Sequence, residues 1–247
     1  MKESGPETKT GQDMLKVRIW RGREEGSFHT YDVPARDNQT VLDVVSEVQR
    51  RHEPSLAYRF ACRVGVCGSC AMTVNGTPRW TCRTHVSKVS ETGEITIEPL
   101  RNLPRIKDLA TDMSAFFDKW ERAGGRFEAS ATRNDPPAMI EPASQKRQAA
   151  DAAIECINCA VCYAACDVVA WDKDYLGPAA LNRAWTLVND ERHADPAGTL
   201  DKAMGSGGCG SCHTQGNCMR HCPIGLSPTR SVAGLKRMSL RAMFGLE

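Results

Sequence analysis

The stretch "CINCAVCYAACD", residues 156–167, places four cysteines within eleven positions. Cys156, Cys159 and Cys162 have the C-x2-C-x2-C spacing of a 4Fe–4S site, and Cys166 follows four residues later. In a ferredoxin run of this kind the fourth cysteine ligates a second cluster, so the first site must find its last thiolate elsewhere. "HCPIG", residues 221–225, supplies it as Cys222, followed by Pro223. Cys166 in return joins Cys212 and Cys218, and this crossed pattern staples two distant stretches of chain around two clusters.

The second of these sites is one thiolate short. A complete run would carry a cysteine three residues after Cys212, but position 215 is glutamine, a poor iron ligand. The expected content is therefore 3Fe–4S, a cuboid lacking the corner iron that no thiolate holds. An alternative stays open in which Cys209 moves in and completes a four-iron cluster. Otherwise Cys209 is a spare buried thiol, since its offset from Cys212 suits no slot in the run.

A third group, Cys62, Cys67, Cys70 and Cys82, reads C-x4-C-x2-C-x11-C. That is the plant-type ferredoxin arrangement for a 2Fe–2S cluster. Gly65 and Gly68 let the loop curl so that backbone N–H groups point at the sulfurs. Ser69 and Arg63 are expected to raise the potential through hydrogen bonding and charge. A four-thiolate zinc site is the competitor, but zinc favours two separated C-x2-4-C pairs, whereas here three cysteines share one loop.

Composition agrees with a redox reading. The chain has 247 residues, with 32 Lys and Arg against 30 Asp and Glu, so no strong field points to nucleic acid. The start, "MKESGPETKTGQD", has no apolar h-region and no twin arginine, which argues against export. In a reducing compartment twelve cysteines serve metal or redox chemistry better than disulfides. No stretch approaches the roughly 20 apolar residues of a membrane span.

Around the cysteines the hydrophobic pattern predicts an α+β fold. "LKVRIW" and "SFHTYDV" form a hairpin across "RGREEG", and "TVLDVVSEVQRR" is a helix capped by Thr40. "CAMTVNGTPRWTC" is a strand pair turning on Asn75-Gly76, and "EITIEPL" is a last strand. The first domain spans 14–120, and residues 121–148, rich in Gly, Pro, Ala and charge, read as an irregular linker. Residues 149–247 are mostly helical, with cysteines in the connections and a basic, amphipathic last segment. "GSGGCG" reads as a flexible loop, since no dinucleotide-binding context surrounds it. His29, His52, His85 and His193 are assigned no chemistry, so the chain carries electrons between reactions that other chains perform.

"FACRVGVCGSCAMTVNG", "CINCAVCYAAC", "YLGPAAL" and "CHTQGNCMRHCPIGLSPTR" together resemble the iron–sulfur subunit of succinate dehydrogenase and fumarate reductase. The resemblance implies a β-grasp 2Fe–2S domain followed by an α-helical ferredoxin domain. It further implies an FAD-containing flavoprotein partner, a separate membrane-anchor subunit and quinone as acceptor. The complex would sit on the cytoplasmic face of the inner membrane. Trp171 and His213 match the family's quinone-proximal positions, with plain packing or a hydrogen bond to a cluster sulfur as the alternative. Asp167 stands where relatives commonly have proline and Gln215 where many have an aliphatic residue, so the third cluster's surroundings are unusually polar. The leading expectation is a succinate:quinone oxidoreductase subunit. A fumarate reductase or other flavin-linked dehydrogenase subunit comes second, and a structural zinc protein third.

Overall fold

A computed structural model describes residues 14–245, so the N-terminal stretch read above for export lies outside the described residues. The chain begins with a hairpin, β1 (Met14–Gly22) and β2 (Gly26–Pro34), paired from Met14↔Pro34 to Gly22↔Gly26. Along β1 the residues Leu15, Val17 and Ile19 are buried while their neighbours are exposed, the period-two pattern of a half-buried strand. Helix α1 (Val41–Arg51) lays Val41, Val44, Val45 and Val48 against that face. Thr40 caps it in a reciprocal box: its hydroxyl accepts from Asp43 N–H at 3.2 Å, and its own N–H donates to the Asp43 carboxylate at 3.0 Å.

The cysteine-rich loop 62–70 follows, then β3 (Ala71–Val74), β4 (Thr77–Trp80) and β5 (Glu94–Glu98). The β3–β4 turn is Asn75-Gly76 with φ of 48° and 74°, the left-handed pair of a tight hairpin. The sheet order is β2-β1-β5-β3-β4, with β1 and β5 parallel and the other pairs antiparallel. This is the mixed sheet over one helix expected of a β-grasp. A small ribbon, β6 (Arg105–Lys107) and β7 (Ala110–Thr111), closes the far end.

Asp108, buried in the β6–β7 turn, ties that end together. Its carboxylate accepts from Gly22 N–H at 2.9 Å, Ala57 N–H at 2.9 Å and Arg21 Nε at 3.0 Å. Burial alone would raise its pKa, but the two backbone donors and Arg21 outweigh it and hold the carboxyl below its ordinary value. Asp108→Ala leaves the Gly22 and Ala57 amides without their acceptor, while Arg21 keeps Glu53 and Ser55, so urea unfolding of the full chain is expected to show a loss of about 1–3 kcal/mol. Because the folded pKa is depressed, this stability is present above the unfolded carboxyl value and lost as pH falls through the folded one. The wild type should therefore lose its advantage over the variant in acid.

Helix α2 (Ser114–Arg122) leaves the first domain, and its Phe116 meets Tyr163 of the second edge-on at 5.5 Å. The expected linker is shorter than the composition suggested, because α2 runs to Arg122 and α3 (Gln145–Ile154) already starts at Gln145. Ser144 caps α3 and the run behind it is alanine-rich, which favours helix over coil. The irregular segment between is laid onto the second domain, with Ser130 N–H donating to Arg192 O and Ala194 N–H to Glu128 O. His193, buried, accepts from Glu128 N–H at 3.2 Å and meets Thr199 Oγ1 at 3.0 Å.

The second domain is built on α6 (Pro178–Asn189), α7 (Pro196–Met204) and α9 (Pro228–Met243), with α3 against α6. Short helices α4 (Val161–Ala164), α5 (Asp167–Trp171) and α8 (Asn217–Arg220) carry or adjoin the cysteines. Buried Asn182 bonds Ala153 O at 3.1 Å and Ser231 Oγ at 2.8 Å, so one side chain links α3, α6 and α9. The "GSGGCG" segment is not a flexible loop. A Cβ at Gly207 or Gly208 would collide with the carbonyls of Asp174 or Ala203, and Leu176 N–H donates to Gly207 O at 2.7 Å. The glycines are there for close approach of backbone to backbone. Among the described residues no helix is long and apolar enough to cross a membrane.

Candidate metal centres

All twelve cysteines are unbridged thiols. In the first domain the loop curls as its glycines suggested. Val66 N–H and Cys67 N–H both donate to Cys62 Sγ at 3.3 Å, and Cys82 N–H donates to Cys70 Sγ at 3.5 Å. Amides aimed at sulfur stabilise thiolate charge, and the donors from Val66, Cys67 and Val64 pull the half-buried Cys62 thiol down to about 6. Cys82, at the buried side of the same group, is pushed up to about 12 by burial and by Cys70 beside it. Arg63 does not act as the free charge expected of it. It reaches Asp43 at 3.4 Å and lies over the Phe60 ring at 4.7 Å, so a carboxylate offsets it. Ser69 is exposed and lines a cleft between the domains.

In the second domain the remaining thiols divide between two cavities. One is lined by Cys156, Cys159, Cys162 and Cys222, with Ala160, Ala179, Ile224 and Leu226 around them. The other is lined by Cys166, Cys212 and Cys218, with Gln215, His213 and Thr229. Sequence neighbours Cys162 and Cys166 thus face different cavities, because α4 turns between them and Cys166 leads into α5. Asn102 fixes that turn from the first domain, its Nδ2 donating to the carbonyls of Tyr163, Ala164 and Cys166 at 3.0, 3.3 and 3.1 Å.

Burial raises the thiols around the first cavity: Cys159 goes up to about 12, Cys156 rises, and Cys162 rises well above its ordinary value. A buried thiolate needs a cation to neutralise it, and iron bound at these sulfurs would supply that charge. Among the described residues no three His, Cys, Asp or Glu side chains gather tightly enough for a single metal ion. A lone zinc would draw four ligands to about 2.3 Å from one point. Thiols standing apart around a cavity suit a body of several iron atoms instead.

Comparison with known proteins matches both halves. A profile for a 2Fe-2S iron-sulfur cluster binding domain covers residues 15–118, and one for a 4Fe-4S dicluster domain covers residues 155–227. The fumarate reductase iron-sulfur subunit of Mycobacterium tuberculosis is 33% identical over 91% of this chain and 92% of its own length. Mitochondrial succinate dehydrogenase [ubiquinone] iron-sulfur subunit 1 of Oryza sativa is 34% identical over 82% of this chain and 72% of its own. The chain belongs to the succinate dehydrogenase/fumarate reductase iron–sulfur subunit family. A chain of the Mycobacterium smegmatis Sdh1 complex superposes on this family member with a TM-score of 0.79 at 27% identity, over 92% of this chain and 96% of that one.

Trp171 and His213, distant in sequence, come together in space. Trp171 is 61% exposed, and its ring meets His213 edge-on at 5.9 Å. The Asp167 carboxylate accepts from Asn217 Nδ2 at 3.5 Å. Cys209 is buried, lines neither cavity, and its sulfur lies 3.6 Å from Ser239 Oγ on α9.

Four contributors escaped the sequence reading. Thr229 Oγ1 lies 3.2 Å from Cys218 Sγ, and Lys236 Nζ donates to Cys212 O at 2.7 Å. Tyr175 lines the second cavity, its hydroxyl driven upward by burial and then by Cys212 and Cys166. Burial raises Cys156, and the nearby Arg183 charge offsets a small part of that rise while its Nε donates to Gly125 O at 2.9 Å. Periodicity assigned Arg183 and Lys236 to helices and said nothing of Tyr175 or Thr229, and it contained no signal that any of the four faced a metal site.

Proposed function

We propose that this chain carries electrons from an FAD-bearing flavoprotein to quinone at a membrane-anchor subunit, within a succinate:quinone oxidoreductase. Cys62, Cys67, Cys70 and Cys82 hold a 2Fe–2S cluster, and Cys156, Cys159, Cys162 and Cys222 a 4Fe–4S cluster. Cys166, Cys212 and Cys218 hold a 3Fe–4S cluster. When bound, the clusters supply one-electron carriage, and the chain's residues space and insulate them. The observation that carries this reading is the crosswise division of thiols between two cavities, with Gln215 on the wall of the three-thiol one. Cys209 stays outside, so the open alternative of a fourth thiolate has no support in the packing.

The two ends of the route differ in surface. At the first group Val64 and Val66 are 61% and 65% exposed beside Cys62, an apolar surface suited to the flavoprotein. At the other end His213 lines the three-thiol cavity and the exposed Trp171 ring meets it, and we assign quinone and the anchor to this end. The complex is assigned to the cytoplasmic face of the cell membrane. Relatives named for fumarate reductase and for succinate dehydrogenase are about equally similar, so the reverse direction is the second reading.

Electron paramagnetic resonance of the complex, purified without air and oxidised, tests the assignment. A 3Fe–4S centre is paramagnetic when oxidised, whereas ordinary 2Fe–2S and 4Fe–4S centres are silent. We expect an oxidised signal that succinate abolishes. A signal removed only by dithionite would move the donor away from succinate. Full iron content without the signal would overturn the three-iron assignment.

A further inference from the structure

We infer that Gly68 is the positioning residue that sets the gap between the first two centres, a reading that rests on the cluster assignments above. Gly68 follows Cys67 in the first thiol loop and has a φ of +71°, which favours glycine. A second constraint comes from the other domain. A Cβ on Gly68 would stand 2.7 Å from the Ile157 carbonyl oxygen and 3.0 Å from both Cα and Cβ of Cys159, where ordinary contact begins near 3.4 Å. The two domains therefore touch backbone to backbone between a residue adjoining one thiol ligand and a residue that is itself another.

Its loop neighbour Gly65 provides the contrast. Its φ is +78°, yet a Cβ there would meet Trp80 and Arg83 of its own domain. Gly65 shapes the loop, while Gly68 lets the other domain approach. The adjoining cleft is lined from both domains, by Cys67, Gly68, Phe117 and Cys159. One electron crosses here with no bond made or broken and no proton moved. Tunnelling falls steeply with distance, so a methyl group at position 68 acts on the rate through the gap it opens.

The test uses the assembled complex carrying Gly68→Ala, with Gly65→Ala beside it. Gly68→Ala is expected to keep full iron content. It should weaken the magnetic interaction between the two reduced centres and slow single-turnover passage between them several-fold. Gly65→Ala should alter the 2Fe–2S spectrum but keep that interaction. A wild-type interaction and rate in Gly68→Ala, or equal weakening in Gly65→Ala, would overturn the inference. If Gly68→Ala does not assemble, relaxation of the wild-type 2Fe–2S signal decides. It must quicken when the 4Fe–4S centre is reduced, and no change sinks the idea. Absence of either centre from the wild type would instead be a failure of the cluster assignment, recognisable from iron content alone.

Discussion

Cys222→Ser is expected to remove the 4Fe–4S cluster and with it all quinone-linked turnover. Cys222 lies far along the chain from Cys156, Cys159 and Cys162 yet completes their cavity. Its loop, 221–227, leads directly into α9 through the Ser227 cap, whose hydroxyl accepts from Arg230 N–H at 3.4 Å. A serine oxygen is a poor partner for iron that prefers thiolate. Without the cluster, three buried thiols remain with nothing to neutralise them, and the tie between α9 and the Cys156 run is lost. Site formation and folding are one equilibrium when ligands come from distant parts of the chain. Iron should fall from about nine to about five atoms per chain, and the helical domain should become protease-sensitive. Cys209→Ser is the contrast: its sulfur faces Ser239 rather than a cavity, so iron should stay at about nine. Iron unchanged in Cys222→Ser would remove the crossed ligation from the proposal.

Gln215→Cys should change the identity of the third cluster without disturbing the fold. Gln215 is on the wall of the cavity that Cys166, Cys212 and Cys218 share. A cysteine there restores the C-x2-C-x2-C run from Cys212 to Cys218 and provides the thiolate the open corner lacks. Iron should rise to about ten atoms per chain, and the resonance of the oxidised protein should vanish. The added negative sulfur should lower the cluster's potential, so electrons are held less readily next to the quinone and turnover falls. Redox titration of the complex measures the shift. Persistence of the oxidised signal in Gln215→Cys would mean that some other feature keeps the cluster at three irons.

The elements that reading found most readily have local causes. Thr40 and Asp43 specify a capping box whatever surrounds them, and Asn75-Gly76 specifies a tight turn. The alternation of Leu15, Val17 and Ile19 fixes which face of β1 is inward. Thiolate chemistry is similarly legible, because cluster ligation imposes spacings that few other functions need. Misreadings came where composition stood in for packing. Glycines at 205–210 suggested looseness, yet they admit the carbonyls of Asp174 and Ala203 at close range. Charge and proline around 121–148 suggested an open linker, yet Glu128 and Ser130 within it are bonded to Arg192, His193 and Ala194.

By itself the sequence determined the fold class and the three groups of cysteines, and it supplied the expectation that Cys222 joins the Cys156 group, Cys166 joins Cys212 and Cys218, and Gln215 stands where a further thiol would be. Each follows from local stereochemistry or from a spacing rule that holds along one chain. The tertiary structure alone decided what surrounds the thiols: Asn102 on the carbonyls of 163–166, Thr229 beside Cys218, and Gly68 against Cys159. Asn102 and Gly68 reach residues of the other domain through contacts that exist only once the two domains have packed, Thr229 meets Cys218 through the folding of the helical domain itself, and no periodicity within any of these segments encodes them.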